Sequence, residues 1–409
     1  MGNDLGEVIG KDERYHLGVY GKRFFPDILI VKADGVILTD STGREYIDCV
    51  AGISSVNVGH NNSTIEQRVR EYKDRKGADH LSNLFYIGPQ AEYAEKLAQV
   101  VPIGGTQPSD HAMVFFCNSG AEATNGAIKL AAKNMGHWLV GMSNTFHARY
   151  GAALAATGQD KFHKGFEKTL PANVKIINFN NLDDLKNITD DTYAVMMEVI
   201  EGEGGIIPAD RAYIDALRDR CRQTGALLIA DEVQTGFGRT GKMFASQHYD
   251  LHPDAICMAK GIANGYPFGA IALGQNFAAM VKQYEHASTF GGNAEGCIRA
   301  MAVLDIIREQ NLLENAQRME EIFYSTDFKG LPHVKDTRGK GLLLGVELDS
   351  AEYRTDVINR CKQDGVLFCG CGASTIRIVP PLTITEDQFG HAMEVLQKNI
   401  KELKPERKQ

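Results

Sequence analysis

Short, mainly apolar runs alternate with helix-length stretches between residues 112 and 275 of this chain. Runs of this length, bounded by Gly, Pro or polar turns, are typical of strands buried in a parallel sheet. The pattern predicts an α/β fold in which a mainly parallel, seven-stranded sheet is covered by helices on both faces. The seven runs are residues 113–117, 138–142, 174–179, 193–200, 226–230, 255–259 and 268–273.

The two ends of the chain follow a different pattern. Residues 20–52 contain apolar bursts separated by Asp34-Gly35 and Thr42-Gly43, which predicts a small antiparallel sheet of hairpins. After a long helical stretch at residues 292–325, two strand-like runs precede a final helix from about Glu386. This predicts an α+β unit near the C-terminus.

These patterns predict two domains, one formed by the middle of the chain and one formed by its two ends. We expect residues 61–310 to form the large domain around the parallel sheet. Residues 1–60 and 311–409 are then expected to form one small α+β domain from both termini. A chain of 409 residues is long enough for such a division.

Composition excludes some classes of function. A net charge of −8 argues against a general nucleic-acid binder, and no stretch approaches 18 apolar residues or resembles a signal peptide. Eight cysteines without regular spacing predict reduced thiols and a cytoplasmic protein. Cys369 and Cys371 form the only close pair, and no second Cys/His pair completes a metal site, so we expect no metal.

One pair of residues indicates a specific chemistry. Asp231 ends one apolar run, and Lys260 follows another, 29 positions later (260 − 231 = 29). That interval is about one β-α-β unit, so both side chains are expected at the carboxyl edge of the sheet, where such folds bind ligands. A lysine that can form a Schiff base and an acid that can hold a ring nitrogen protonated are the groups that pyridoxal phosphate requires.

Other segments allow two interpretations. Ser119, Gly120 and Ala121 follow a strand and open a helix, which suits phosphate binding or an ordinary capping box with Glu122. Residues 288–293 suit an anion-binding loop or a plain helix-entry turn. Arg149 and Arg377 could bind a carboxylate substrate or, like Glu203, form surface ion pairs.

Taken together, these segments resemble the class III aminotransferases, which have fold type I and use pyridoxal 5′-phosphate. The matching motifs are NSGAEA at 118–123, ADEVQTGFGRTG at 230–241, AKG at 259–261 and STFGGN at 288–293. The resemblance implies that Lys260 is the catalytic Schiff-base lysine and Asp231 the partner of the pyridinium nitrogen. It further implies cofactor contacts from Val233, Gln234, Phe146 and the turn Ser119, Gly120 and Ala121. Thr289 would reach the phosphate from a neighbouring subunit, which implies a homodimer with shared active sites.

The resemblance also implies how substrates bind. Arg149 would clamp the donor's carboxylate, with Ser288 and Tyr20 nearby. Glu203 would pair with Arg377 and swing aside for 2-oxoglutarate. Residues 146–167 are most similar to acetylornithine aminotransferases, which implies N-acetylornithine or a similar ω-amino acid as donor.

The sequence leaves the donor open. Ile53 stands where ornithine aminotransferases usually have a tyrosine, which counts against free ornithine. Ala148, Val199 and Glu201 also depart from the usual residues, as does the Cys369–Cys371 turn. Alternatives are a 4-aminobutyrate aminotransferase or a lysine-pathway ω-aminotransferase, and more distantly a racemase or aminomutase of the same fold.

Overall fold

The computed structural model describes residues 4–20, 23–82, 84–103 and 111–403. Its strands are β1 Ile30–Asp34, β2 Ile37–Asp40, β3 Glu45–Asp48, β4 Met113–Cys117, β5 Trp138–Ser143, β6 Thr157–Gly158, β7 Val174–Ile177, β8 Thr192–Met197, β9 Ile200–Glu201, β10 Ile207–Pro208, β11 Leu227–Asp231, β12 Ala255–Met258, β13 Gly269–Leu273, β14 Val334–Lys340, β15 Leu343–Leu348, β16 Val366–Leu367, β17 Cys369–Cys371 and β18 Thr375–Ile378. Its α-helices are α1 Leu5–Tyr15, α2 Ala51–Ser54, α3 Ser63–Asp74, α4 Gly88–Val100, α5 Gly120–Ala131, α6 Gly151–Ala156, α7 Arg211–Thr224, α8 Gln275–Ala278, α9 Ala294–Glu309, α10 Leu312–Ser325, α11 Ala351–Gln363 and α12 Glu386–Lys401. Short 3₁₀ helices span Gly18–Tyr20, Asp160–Phe162, Glu167–Thr169, Leu182–Asn187, Ala245–Tyr249 and Lys260–Ala263.

The central sheet has eight strands in the order β4-β13-β12-β11-β8-β5-β6, and β7 also pairs with β5. All seven predicted runs contribute a strand, and the eighth, β6, has only two residues. Every residue of β8, β12 and β13 is buried, because both faces of the sheet are covered. That burial is the reason these strands lack alternating polar residues. The prediction of an α/β fold with a mainly parallel sheet is confirmed.

One strand departs from the parallel arrangement. β13 runs antiparallel to both of its neighbours, β12 and β4. The segment between β12 and β13 has only ten residues (259–268), including a 3₁₀ turn. A parallel crossover needs a dozen or more residues, so the chain has to return in the opposite direction.

Two smaller sheets combine the ends of the chain. β1, β2 and β3 form the predicted antiparallel hairpins, with Gly35 at positive φ in the first turn, and β16 pairs with β3 in parallel. The order β14-β15-β18-β17 forms an antiparallel sheet near the C-terminus. The β3–β16 pairing is in keeping with one small domain built from both termini, but its boundaries at residues 60 and 310 stay a prediction.

One of the two helical stretches predicted near the C-terminus is divided in two. The helical stretch predicted at 292–325 consists of α9 and α10, separated at Asn311, which has φ 50°. The final helix begins at Glu386, where Thr385 and Gln388 complete a capping box. Within the described ranges, no helix is long and apolar enough to cross a membrane.

A buried arginine connects three parts of the fold. Arg239, in the loop after β11, is fully buried and donates to Asn57 Oδ1 (2.7 Å) and to the carbonyl oxygens of Leu342 (3.1 Å) and Pro380. Burial lowers its pKa to about 9. Asn57 also donates to the carbonyl oxygen of Phe237 (2.8 Å), so N-terminal, central and C-terminal segments meet at one hydrogen-bonded group.

Arg239→Met should therefore lower the free energy of unfolding by at least about 2 kcal/mol, because it leaves buried oxygen atoms without donors. The shift of the urea unfolding midpoint measures this change. Arg308→Met is the matched control, because the Arg308 side chain is 74% exposed and Asp305, its partner, also pairs with Arg68 and Lys96. Equal midpoint shifts for the two variants would contradict the role given to Arg239.

Candidate active site

A cavity of about 1190 Å³ opens at the carboxyl edge of the central sheet. Asp231 ends β11 at this edge, and Lys260 lies two residues beyond β12. Both side chains line the cavity. Residues from the N-terminal segment and from β17 and β18 also line the cavity, including Ile53, Cys369 and Arg377. The location is the one at which open α/β sheets bind ligands.

Lys260 has an amine that loses its proton easily. It opens the 3₁₀ turn after β12 with φ 49°, in the left-handed region that non-glycine residues seldom adopt. Burial and the positive charge of Arg377 lower the pKa of Lys260 to about 8, although Glu198 and Asp231 act in the opposite direction. An amine with such a pKa is partly unprotonated near neutral pH and can act as a nucleophile or base.

Asp231 is oriented by a histidine that the sequence did not identify. Its Oδ2 lies 2.7 Å from Nδ1 of His147, and its Oδ1 accepts a hydrogen bond from the Val233 amide (3.0 Å). The His147 side chain is fully buried, and its Nε2 has no hydrogen-bond partner among the described residues. The two residues are 84 positions apart, so no local pattern could reveal their contact.

The turn before α5 caps the helix, but the capping box offered by the sequence is not closed, because Glu122 accepts from the amide of Asn118 rather than from that of Ser119. Ser119 caps the helix by accepting from the Glu122 amide (3.2 Å), and Glu122 Oε2 accepts from the Asn118 amide (2.7 Å). Ser119, Gly120 and Ala121 also line the cavity, so the positive end of the helix dipole lies at its wall. A Cβ atom on Gly120 would lie 2.8 Å from Val233 Cγ1, so a larger residue would disturb this wall.

The side chain of Gln234 is buried, and its amide nitrogen donates no hydrogen bond to the described residues. It is 6% exposed, and its Nε2 has no hydrogen-bond partner among the described residues. A Cβ atom on Gly202 would lie 1.5 Å from Gln234 Oε1, so glycine is required there for this position of the amide. A buried donor without a partner is rare in proteins, which indicates a group that meets something bound in the cavity.

Glu198 is a second residue that the sequence did not identify as part of the site. It lines the cavity and accepts from the amides of Phe146 (2.9 Å) and Gly202 (3.2 Å). Burial, followed by the charge of Asp231, raises its pKa to about 7. Its bond to the amide of Phe146 fixes the backbone of a residue whose ring also lines the cavity.

Two arginines face the cavity in different surroundings. Arg149 is exposed, with its guanidinium 4.5 Å from the ring centre of Phe162 and 5.4 Å from that of Phe146. Arg377 is buried, and its Nη1 lies 3.2 Å from Oε2 of Glu203. The Glu203 side chain is 33% exposed and that of Arg377 only 3%, so Glu203 is the partner with room to move.

Ser288 and Thr289 are predicted site residues that do not line the cavity. Ser288 accepts from Asn118 Nδ2 (3.1 Å) beside the turn, and Thr289 is exposed. The backbone of Tyr20 belongs to a 3₁₀ turn, but its side chain lies outside the described part of the structure. The roles of all three stay predictions.

Known proteins resemble this chain over nearly its whole length. The family model for class III aminotransferases matches residues 20–400. The chain belongs to the class III aminotransferases. It is therefore a transaminase, as predicted, and its fold is that of the fold-type I enzymes.

Relatives of this class III aminotransferase include acetylornithine aminotransferases from several organisms. The one from Archaeoglobus fulgidus is 38% identical, over 95% of this chain and 99% of its own length. The one from Bacillus subtilis is also 38% identical, over 91% and 95%. Among solved structures, the ornithine aminotransferase of Toxoplasma gondii has a TM-score of 0.89 at 26% identity, covering 97% of this chain and 94% of its own. The acetylornithine aminotransferase of Elizabethkingia anophelis has a TM-score of 0.83 at 27% identity, covering 98% and 100%.

The lowered pKa of Lys260 leads to a prediction about its reactivity. In the cofactor-free protein, labelling of Lys260 by an amine reagent such as trinitrobenzenesulfonate should rise with pH and reach half its maximum near pH 8, because only the neutral amine reacts. Peptide mass spectrometry at a series of pH values measures this profile.

Lys398 is the internal control for that measurement. Its side chain is 57% exposed, and its hydrogen bond to Asp364 raises its pKa, so its labelling midpoint should lie well above that of Lys260. A Lys260 midpoint at or above that of Lys398 would show that the amine is not activated.

Proposed function

We propose that this class III aminotransferase uses pyridoxal 5′-phosphate to transfer the amino group of N-acetylornithine, or of a similar ω-amino acid, to 2-oxoglutarate. The donor would become a semialdehyde and the acceptor glutamate. The proposal depends above all on one observation: Lys260, Asp231 and the Arg377–Glu203 pair line one cavity. Relatives at 35–38% identity that carry the name acetylornithine aminotransferase support the choice of donor.

The buried polar groups fit this cofactor. Asp231 would hold the ring nitrogen in its protonated form, and His147 would keep the Asp231 carboxylate in position. The unused Nε2 of Gln234 would donate to the phenolic oxygen. When bound, the cofactor supplies an electron-accepting ring that stabilises negative charge on the substrate carbon.

Apolar and backbone groups would complete the binding of the cofactor. Val233 and Phe146 would pack on opposite faces of the ring. The turn at Ser119, Gly120 and Ala121 would bind the phosphate through backbone amides at the start of α5. All five residues line the cavity, which supports this assignment.

Lys260 would first hold the cofactor and then transfer protons. Its Nζ would take a proton from the substrate carbon that bears the amino group and return a proton later in the reaction. A pKa of about 8 suits both tasks, because the neutral and charged forms are both populated near neutral pH.

The two substrates differ in their number of carboxylates, and the Arg377–Glu203 pair would let one site accept both. A buried guanidinium without an anionic partner is costly, so Arg377 needs Glu203 while the donor, which has only one carboxylate, is bound. The second carboxylate of 2-oxoglutarate would replace Glu203, which the larger exposure of Glu203 supports. Arg149 would hold the carboxylate of the donor, with Ser288 and Tyr20 near the substrate.

The proposal includes a homodimer with shared active sites. Thr289 is exposed and does not line the cavity of its own subunit, as expected if it reaches the phosphate of a partner. Leu84, Phe85 and Tyr86 are consecutive and 84%, 64% and 106% exposed. Exposed apolar residues in such a group are typical of an interface.

We also include a cytoplasmic location in the proposal. All eight cysteines are buried and none forms a disulfide, which suits a reducing compartment.

The donor can be tested with a panel of amines and the cofactor-loaded enzyme. N-acetylornithine should change the cofactor's absorption spectrum and, with 2-oxoglutarate, yield glutamate. Free ornithine should react at least about tenfold more slowly, because Ile53 offers no acceptor for a second ammonium group. Lys260→Ala should bind the cofactor without turnover.

The same panel separates the alternatives. A preference for 4-aminobutyrate or for a carrier-linked lysine intermediate would change the donor but keep the reaction. Racemisation of an amino acid without 2-oxoglutarate, together with failure of every ω-amine, would refute transamination.

The dimer can be tested by adding charge to its expected interface. Light scattering of the unaltered protein should give twice the 44.9 kDa of one chain. Tyr86→Lys should shift the protein towards monomer and lower activity, because it buries a charge in the interface. Met135→Lys, at a residue that is 85% exposed outside this group, should change neither. A monomeric unaltered protein that is fully active would contradict shared sites.

A further inference from the structure

The thiol of Cys369 contacts the guanidinium of Arg377 inside the cavity. Cys369 on β17 lies directly opposite Arg377 on β18, and Arg377 Nε donates to Cys369 Sγ (3.4 Å). All eight cysteines lie in described parts of the chain, and Cys369 is the one that lines the cavity. The contact therefore belongs to the substrate cavity rather than to the protein core.

Arg377 thus has two side-chain contacts of different strength. Nη1 meets the carboxylate of Glu203 (3.2 Å), and Nε meets the sulfur of Cys369. A thiol is a weak acceptor, so it can orient Nε–H without neutralising the guanidinium. A carboxylate at residue 369 would instead compete with any substrate for the charge.

The difference matters when Glu203 moves. Glu203 is the more exposed partner, and its departure would leave Arg377 with the sulfur contact on one edge and the cavity on the other. A guanidinium with a fixed Nε edge keeps both terminal nitrogen atoms directed at an incoming carboxylate, as bidentate binding requires.

We propose that Cys369 is a positioning residue for the acceptor: its Sγ holds the Nε edge of Arg377, so that the guanidinium binds the second carboxylate of a dicarboxylate. This inference rests on the proposed function, because it gives Arg377 the acceptor as its ligand. Cys369 would then favour dicarboxylate over monocarboxylate acceptors without affecting donor chemistry.

Cys371 provides a matched control in the same strand. It lies two residues further along β17, on the same face, and is buried like Cys369. Its partner across the strands is Thr375, and it does not line the cavity. Removing its sulfur changes a similar buried volume but leaves the Nε–Sγ contact in place.

Binding of glutarate to the cofactor-loaded enzyme tests the proposal. Glutarate has the two carboxylates of 2-oxoglutarate but no keto group, so calorimetry measures its dissociation constant without turnover. Cys369→Ala should weaken glutarate binding about five- to tenfold, which is about the net contribution of one ordinary hydrogen bond and suits a thiol, a weak acceptor. Cys369→Ser should restore most of the affinity, because a hydroxyl also accepts. Cys371→Ala should stay within about twofold of the unaltered enzyme.

Kinetics distinguish positioning from structural damage. Cys369→Ala should raise KM for 2-oxoglutarate about five- to tenfold while kcat and KM for N-acetylornithine change less than about twofold. Equal losses for donor and acceptor would overturn the inference, as would unchanged glutarate binding by Cys369→Ala. If the unaltered enzyme transaminates but does not bind glutarate, Arg377 is not the acceptor site and that part of the proposed function fails first.

Discussion

The parallel pairing of β11 with β12 is the constraint on which the candidate site depends. It sets Asp231 opposite Cys257, and Lys260 follows three residues later in a left-handed turn. Because the two strands are adjacent and parallel, a carboxylate and an amine arrive at the same edge of the sheet. The His147 ring then binds Asp231 from a segment 84 positions earlier in the chain.

Charge balance in the cavity follows from burial. Lys260 and Arg377 are two basic residues that line the same cavity. The pKa of Lys260 is lowered because burial and the neighbouring guanidinium both disfavour a positive charge on its amine. Glu198 shows the opposite effect, with a pKa raised to about 7 by burial and by Asp231. Ionisable groups of the cavity can therefore change protonation near neutral pH, as a reaction that moves protons needs.

The sequence predicted those features that depend on local pattern. Strands buried on both faces appear in the sequence as apolar runs. Lys260 and Asp231 could be identified as candidate site residues because each follows such a run. His147 and Glu198 were not identified, because their importance comes from contacts with residues 84 and 52 positions away. The antiparallel direction of β13 was not predicted either, because an apolar run does not show which way its strand runs relative to its neighbours. Only the short connection from β12 indicates it.

Three glutamates in one short segment illustrate why residue type alone does not assign a role. Glu198 is buried but accepts two backbone hydrogen bonds. Glu201 is fully buried, and neither of its oxygen atoms has a hydrogen-bond partner among the described residues. Burial, followed by the charge of Glu198, raises the pKa of Glu201 to about 9, so this carboxyl is neutral at physiological pH.

Glu203 differs from both, because it is partly exposed and paired with Arg377. Of the three, it alone can remain charged in water after leaving its partner. Glu198, which accepts two backbone hydrogen bonds, is better suited to keep the segment in place while Glu203 moves. In the proposed function, the exchange of one carboxylate for another at Arg377 would depend on where each side chain meets solvent, and the weak contact from Cys369 would leave that exchange open.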